Sequence, residues 1–556
     1  MKKMITAICL MVGFVVTGYS QSLVSQVWNP DLGDGTYKNP VINADYSDPD
    51  VCVVGEDYYL TASSFQCIPG LPILHSKDLV NWEILGYALE KLEPEAEFCK
   101  PSHGNGVWAP SIRYHQGLFY IYWGDPDHGI MMVKSQHPAG PWTKPFCVIA
   151  GKGMIDPCPL WDESGHCYLV NGWANSRSRF ASVLTVREMN AEGTQPIGQP
   201  VIVFDGNGTE NRTCEGPKFY QRDGWYWIFC PAGGVPTGFQ LAMRSKSPYG
   251  PYESKVVLAQ GKTAVNGPHQ GAWVHTVFGE DWFIHFQDKE AYGRVCHLQP
   301  VDWSSGWPVM GKNGEPVVTY RKPKTSVPVV PMNPVESDEF NCPVMGKQWQ
   351  WHANYDQKFG MPTSWGVFRV YCYKAGSPDN LTPVKGGEQV DNRIWNVPNL
   401  FLQKTPADHF TATAKIRMTA KEEEQMGGVI MMGLHYSALV IKRVGNEFQL
   451  QRITCKDADK GNPEHVDIIA VLKPTVKDHT DYQPAIHEDI FLRMVVSAGK
   501  VSFFYSTNGK KYKPAGAEFT MKEGKWIGAK IGLVAVQPAD NKNRGWIDAD
   551  WFRITP

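Results

Sequence analysis

No stretch of this 556-residue sequence carries a block of like charge, and its formal net charge is only -2. Without a basic or acidic run, nothing electrostatic points to nucleic acid or an anionic membrane surface as a partner. The 13 cysteines include no CxxC pair, which argues against a zinc site. Neither a glycine-rich nucleotide loop nor an HExxH helix is present, so the sequence implies no redox cofactor and no zinc-protease chemistry. Beyond the first 20 residues no segment reaches the roughly 20 apolar residues that a membrane-spanning helix needs. Sustained helical periodicity is also missing, and the chain is therefore expected to be almost wholly β.

What is abundant is aromatic surface. Twenty Trp, 23 Tyr and 24 Phe accompany a hydrophobic fraction of 42% and a charged fraction of 20%. Such side chains suit strands, and their faces suit sugars. The length exceeds what one core usually organises, so two domains are expected. Residues 1–20 read as a signal peptide: Met1-Lys2-Lys3, an apolar stretch from Met4 to Val16, and small residues Gly18 and Ser20 before Gln21. That places the mature protein in the periplasm or outside the cell, where disulfides are permitted. Twelve cysteines remain once Cys9 leaves with the leader.

An internal repeat organises the first half. Asp48-Pro49-Asp50-Val51, Ala109-Pro110-Ser111-Ile112, Asp156-Pro157-Cys158-Pro159, Glu215-Gly216-Pro217-Lys218 and Gln270-Gly271-Ala272-Trp273 each lead through a glycine turn to an aromatic strand. The turn glycines at 55, 117, 165, 224 and 279 recur at the spacing of a four-stranded propeller blade. Five copies imply a five-bladed β-propeller over residues 39–324. Prolines 323, 328, 331 and 334 mark an extended linker, and alternating segments such as Phe410–Ile416 and Val501–Tyr505 predict a β-sandwich over 325–556.

The innermost strands of a propeller run along the axis in one direction, so equivalent strand starts gather at one end of the channel. Three of the five repeat starts are acidic: Asp48, Asp156 and Glu215. An Asp before Pro is often only a turn former. Recurrence at one repeat position, where other blades carry Ala109 and Gln270, is harder to explain by turns alone. Two carboxyls facing across a pocket are what glycosidic bond cleavage needs, one as acid and one as base or nucleophile, and a third can raise the acid's pKa.

The blocks Tyr46-Ser47-Asp48-Pro49-Asp50, Val107-Trp108-Ala109-Pro110-Ser111, Ile155-Asp156-Pro157, Cys214-Glu215-Gly216-Pro217 and Tyr292-Gly293-Arg294 resemble glycoside hydrolase family 43, the inverting β-xylosidases and α-L-arabinofuranosidases. Residues from Ser337 onward resemble the concanavalin-like C-terminal domain of its β-xylosidases, through Gln348-Trp349-Gln350-Trp351 and Asp550-Trp551-Phe552-Arg553. The resemblance implies an exo-acting enzyme that releases terminal xylose or arabinofuranose from plant xylan, arabinoxylan or arabinan. It implies Asp48 as general base, Glu215 as general acid and Asp156 as the group that orients and tunes the acid. Arg294 corresponds to an arginine at the sugar-binding end, and Trp108 and Phe65 are candidate stacking platforms. His269 corresponds to a channel histidine that holds a water or, in some members, a calcium ion. No cofactor is required on this reading, and calcium at His269 is the one metal it admits. Three rivals stand beside it: a retaining propeller enzyme acting on fructosides, a sugar-binding protein without turnover, and a sandwich that is itself the principal polysaccharide-binding module.

Overall fold

The computed structural model describes residues 24–374, 382–383, 389–390, 394–473, 485–538 and 543–556. The leader predicted for residues 1–20 lies outside the described residues. Five antiparallel four-stranded sheets follow one another along the first half of the chain. Their innermost strands are Asp50–Val54, Trp108–His115, Met154–Trp161, Lys218–Arg222 and His269–His275. The five sheets form the five-bladed β-propeller expected from the repeat.

Each blade is built from short strands that read as continuous apolar runs, because neighbouring blades cover both faces. Trp225–Ala232 is an example, with its last six residues buried. Side chains from adjacent blades interlock, as where Leu60 and Leu74 of the first blade meet Trp282, Ile284 and Leu298 of the fifth. The hairpin between the first two strands of every blade turns on a left-handed glycine, Gly55, Gly117, Gly165, Gly224 or Gly279, with φ between 62° and 85°. That shared conformation is why the glycines repeat in the sequence. The ring is closed by Thr36–Lys38, which pairs with Thr319–Arg321 after the last blade.

Two further antiparallel-rich sheets of eight strands each form the C-terminal β-sandwich. One is centred on Lys530–Gln537 and Met426–Met432, the other on His409–Thr419 and Trp546–Thr555. Their inner faces share one core that includes Trp349, Phe401, Ile416, Leu439, Leu533 and Phe552. No strand lies between Thr319–Arg321 and Gln350–Trp351.

The sandwich docks on the propeller through specific bonds. Ile68 pairs with Trp351 as a β-bridge, the Asn354 side chain brackets the Leu92 backbone, and Lys289 reaches Asp408 at 2.6 Å. Ala529 N–H donates to Ala291 O at 2.7 Å, and Gly528 N–H donates to Asp45 Oδ2 at 2.9 Å. An added Cβ at Gly528 would fall 2.7 Å from Tyr292 O, so a glycine lets this loop sit flush against the propeller. The loop 522–529 is thereby held over the end of the channel.

Candidate active site

The repeat position that opens each inner strand has one unusual feature in common. Asp48, Ala109, Asp156, Gly216 and Gln270 all have left-handed backbone, with φ of 55°, 33°, 55°, 59° and 55°. Non-glycine residues at positive φ are costly and persist where the surroundings dictate them, most often at functional sites. In three blades the hydrogen-bond register shifts at this point: between Ile155 and Cys158, Trp108 and Ser111, and His269 and Gly271.

This geometry corrects one detail of the repeat. In the fourth blade the residue equivalent to Asp48 and Asp156 is Gly216, and Glu215 stands one place earlier. Glycine takes the strained conformation there, and an added Cβ would fall 2.6 Å from Gln270 Cδ. Gln270 itself is fixed by Gln240 Oε1, which accepts from its backbone N–H at 2.9 Å.

Asp48, Asp156 and Glu215 line one pocket with Phe65, Trp108, Ala109, Ile155, Val235, Gln270, Arg294 and Trp526. It encloses about 480 Å³, counting its open mouth. Asp48 is held by donors on both oxygens. Ser63 Oγ at 2.6 Å and Ser47 Oγ at 3.0 Å donate to Oδ2, and Arg294 Nη1 at 2.9 Å donates to Oδ1. Ser63 in turn accepts from Ala109 N–H at 2.7 Å, tying the carboxylate to the second blade. Three donors of this kind fix the orientation of the carboxyl group in the pocket.

Glu215 is wired differently. Among the described residues no donor is hydrogen-bonded to its carboxyl. Burial pushes it up to about 7, against the lowering influence of Arg294 and with help from the Asp48 charge. Asp156 lies beside it and accepts from Gly216 N–H at 2.7 Å. Burial, then repulsion from Glu215 and Asp48, raises Asp156 as well, while the Gly216 donor and the buried Lys218 ammonium favour its charge. Glu215 and Asp156 therefore compete for one proton and titrate as a coupled pair. Asp156 has the Gly216 N–H donor, whereas no donor reaches the Glu215 carboxyl among the described residues.

The aromatic candidates separate by position. Phe65 is buried, with φ of 51°, and forms part of the pocket wall. Trp108 is half-buried and anchored by its Nε1–H to Gly104 O at 2.7 Å, with the Arg177 guanidinium 5.8 Å from its ring centroid. Trp526, from the docked sandwich loop, meets Trp108 edge-on at 6.1 Å and remains 51% exposed. Sequence reasoning missed it, along with Val235 and Ile155. Trp526 lies far along the chain outside the blade repeat, so no spacing pattern could place it.

His269 does not line the pocket. It is buried in the channel behind Arg294, with Nδ1 2.5 Å from Gly267 O and its ring 5.0 Å from that of Phe286. Burial pushes it down to about 4, so it is neutral. Calcium takes six to eight oxygen ligands, and the His269 imidazole, bonded to Gly267 O and packed on Phe286, would reach such an ion through water. Among the described residues no three His, Cys, Asp or Glu side chains are grouped to hold a metal ion. His269, named from the sequence among the sugar-binding candidates, is absent from the residues that line the pocket.

Comparison with known proteins agrees with this geometry. The family of glycosyl hydrolases family 43 matches residues 37–308, and the β-xylosidase C-terminal concanavalin A-like domain matches residues 337–555. A putative beta-xylosidase of Xylanibacter ruminicola is 35% identical over 91% of this chain and 87% of its own length. A non-reducing end alpha-L-arabinofuranosidase of Bacteroides ovatus is 31% identical over 77% of this chain and 80% of its own. The fold superposes on a family 43 protein of Bacillus licheniformis with a TM-score of 0.77, at 24% identity, over 94% of this chain and 99% of that one. With its propeller, its three pocket carboxyls and these relatives, the chain belongs to glycoside hydrolase family 43.

Proposed function

We propose that this enzyme removes terminal pentose, β-D-xylose or α-L-arabinofuranose, from plant hemicellulose or pectin oligosaccharides with inversion at the anomeric carbon. The observation that carries the reading is the unequal wiring of two carboxyls in one pocket. Asp48, hydrogen-bonded by Arg294, Ser47 and Ser63, is the base. It takes a proton from a water that attacks the anomeric carbon. Glu215, raised to about 7 mainly by burial, is the acid and gives its proton to the leaving oxygen from the opposite face. Asp156 positions the acid through Gly216 N–H and disfavours a second negative charge beside it.

The pocket walls support action at a chain end. Phe65, Ala109 and Ile155 are buried in its lining, and the half-exposed Trp526 meets Trp108 edge-on, where a leaving sugar or aglycone would stack. Relatives named for β-xylosidase and arabinofuranosidase activity support the pentose class. The leader-like residues 1–20 support export, so polysaccharide fragments outside the cytoplasm are the substrates assigned.

Paired assays on the nitrophenyl β-D-xyloside and α-L-arabinofuranoside, followed by xylan- and arabinan-derived oligosaccharides, test the assignment. The expected result is stepwise release of single pentoses from the non-reducing end. Turnover confined to fructosides would contradict it, as would binding without release of reducing sugar.

A further inference from the structure

Two thiols meet directly behind the acid. Cys214, the residue before Glu215, and Cys230, in the strand Trp225–Ala232, have their Sγ atoms 3.2 Å apart. Their exposures are 1% and 0%. Phe219, Ile228, Leu241 and Met243 pack around them, so the thiols face apolar neighbours. The backbone is joined at the same place, Glu215 N–H donating to Pro231 O at 3.4 Å. Among the described residues no other two thiols are hydrogen-bonded to each other.

We propose that Cys214 and Cys230 are a disulfide site, whose bond clamps the segment bearing Glu215 to the second strand of its own blade. In the reaction each thiol gives up one proton and one electron and the two sulfurs join. A low-molecular-weight disulfide accepts both electrons and both protons and is cleaved to two thiols. Exchange requires a thiolate. The Cys230 hydrogen bond, and then burial, hold the Cys214 thiol well above the usual range. The bond therefore forms while the hairpin is still open and is shielded once the blade closes. Only 16 residues separate the two positions, so the cross-link restrains a short local loop and limits the freedom of the unfolded chain there.

The test is peptide mapping of the full-length protein made in an oxidising compartment of an expression host. The protein is denatured and alkylated without reductant, then digested with trypsin. The expected product is peptide Thr213–Lys218 joined to peptide Asp223–Arg244, while the exposed Cys99, Cys147 and Cys342 carry the alkyl label. Protein with the bond should also unfold roughly 5 °C or more above the same chain made without it. Alkyl label on both Cys214 and Cys230, or either one joined to a different cysteine, would overturn the proposal.

Discussion

Arg294 Nη1 sits 2.9 Å from Asp48 Oδ1 and 2.9 Å from Ser47 Oγ, so one guanidinium nitrogen orients the proposed base and its serine neighbour together. The same cation lowers the proton affinity of Glu215. Replacing it with an apolar side chain of similar length, Arg294→Met, should cost activity through Asp48 and shift the acid as well. With the lowering influence gone, Glu215 holds its proton to higher pH. The alkaline limb of the kcat/KM profile should therefore move up while the maximum falls by about a hundredfold. A fall in rate with both limbs unmoved would separate Arg294 from the acid.

Asp48→Asn and Glu215→Gln should each lower turnover of an oligosaccharide by at least about a hundredfold, since general acid–base groups contribute 10²–10⁴. The two differ in leaving-group dependence. A nitrophenolate departs without much protonation, so Glu215→Gln should retain far more activity on the aryl glycoside than on the oligosaccharide, and Asp48→Asn should not. Equal losses on both substrates for Glu215→Gln would remove it from the acid's role.

Asp156→Asn keeps the shape and removes the charge beside Glu215. A carboxyl freed from a like charge loses its proton more easily, so the alkaline limb should move to lower pH, with the acidic limb less affected. The shift belongs to the apparent values of the pair. A folded variant with the wild-type rate and both limbs in place would leave Asp156 as no more than a turn former.

The architecture was legible because repetition amplifies weak signals. One glycine hairpin is ambiguous, whereas five, from Gly55 to Gly279, define blades whose inner strands must converge. The acids were legible for the same reason, although the register of Glu215 was off by one because only backbone dihedrals show that Gly216, not Glu215, occupies the bulged position. His269 illustrates the opposite case. Its place just before the repeat start at Gln270 marks the right strand, but periodicity does not say that the side chain packs beside Phe286. Trp526 was illegible in principle, since it reaches the pocket only through docking of a loop hundreds of residues away from Trp108.

That docking sets what a truncation ending near Lys324 should do. A freestanding binding module could be removed without harm to small-substrate turnover, but this sandwich supplies Trp526 and covers Ile68, Leu92 and Ala291. Truncation should therefore abolish activity on every substrate. The point variant Trp526→Ala should remain folded, because the indole is half exposed, and should lower kcat/KM on oligosaccharides by up to about tenfold, the worth of one aromatic contact. Unchanged kinetics would take Trp526 out of the substrate site.

The central claim is that Asp48 and Glu215 act from opposite faces of the sugar, and proton NMR of the first sugar released tests it most directly. With a β-xyloside as substrate, the α-anomer of xylose should appear first and mutarotate afterwards. Initial appearance of the β-anomer would show retention through a covalent intermediate, and would contradict the assignment of Asp48 as a base acting on water.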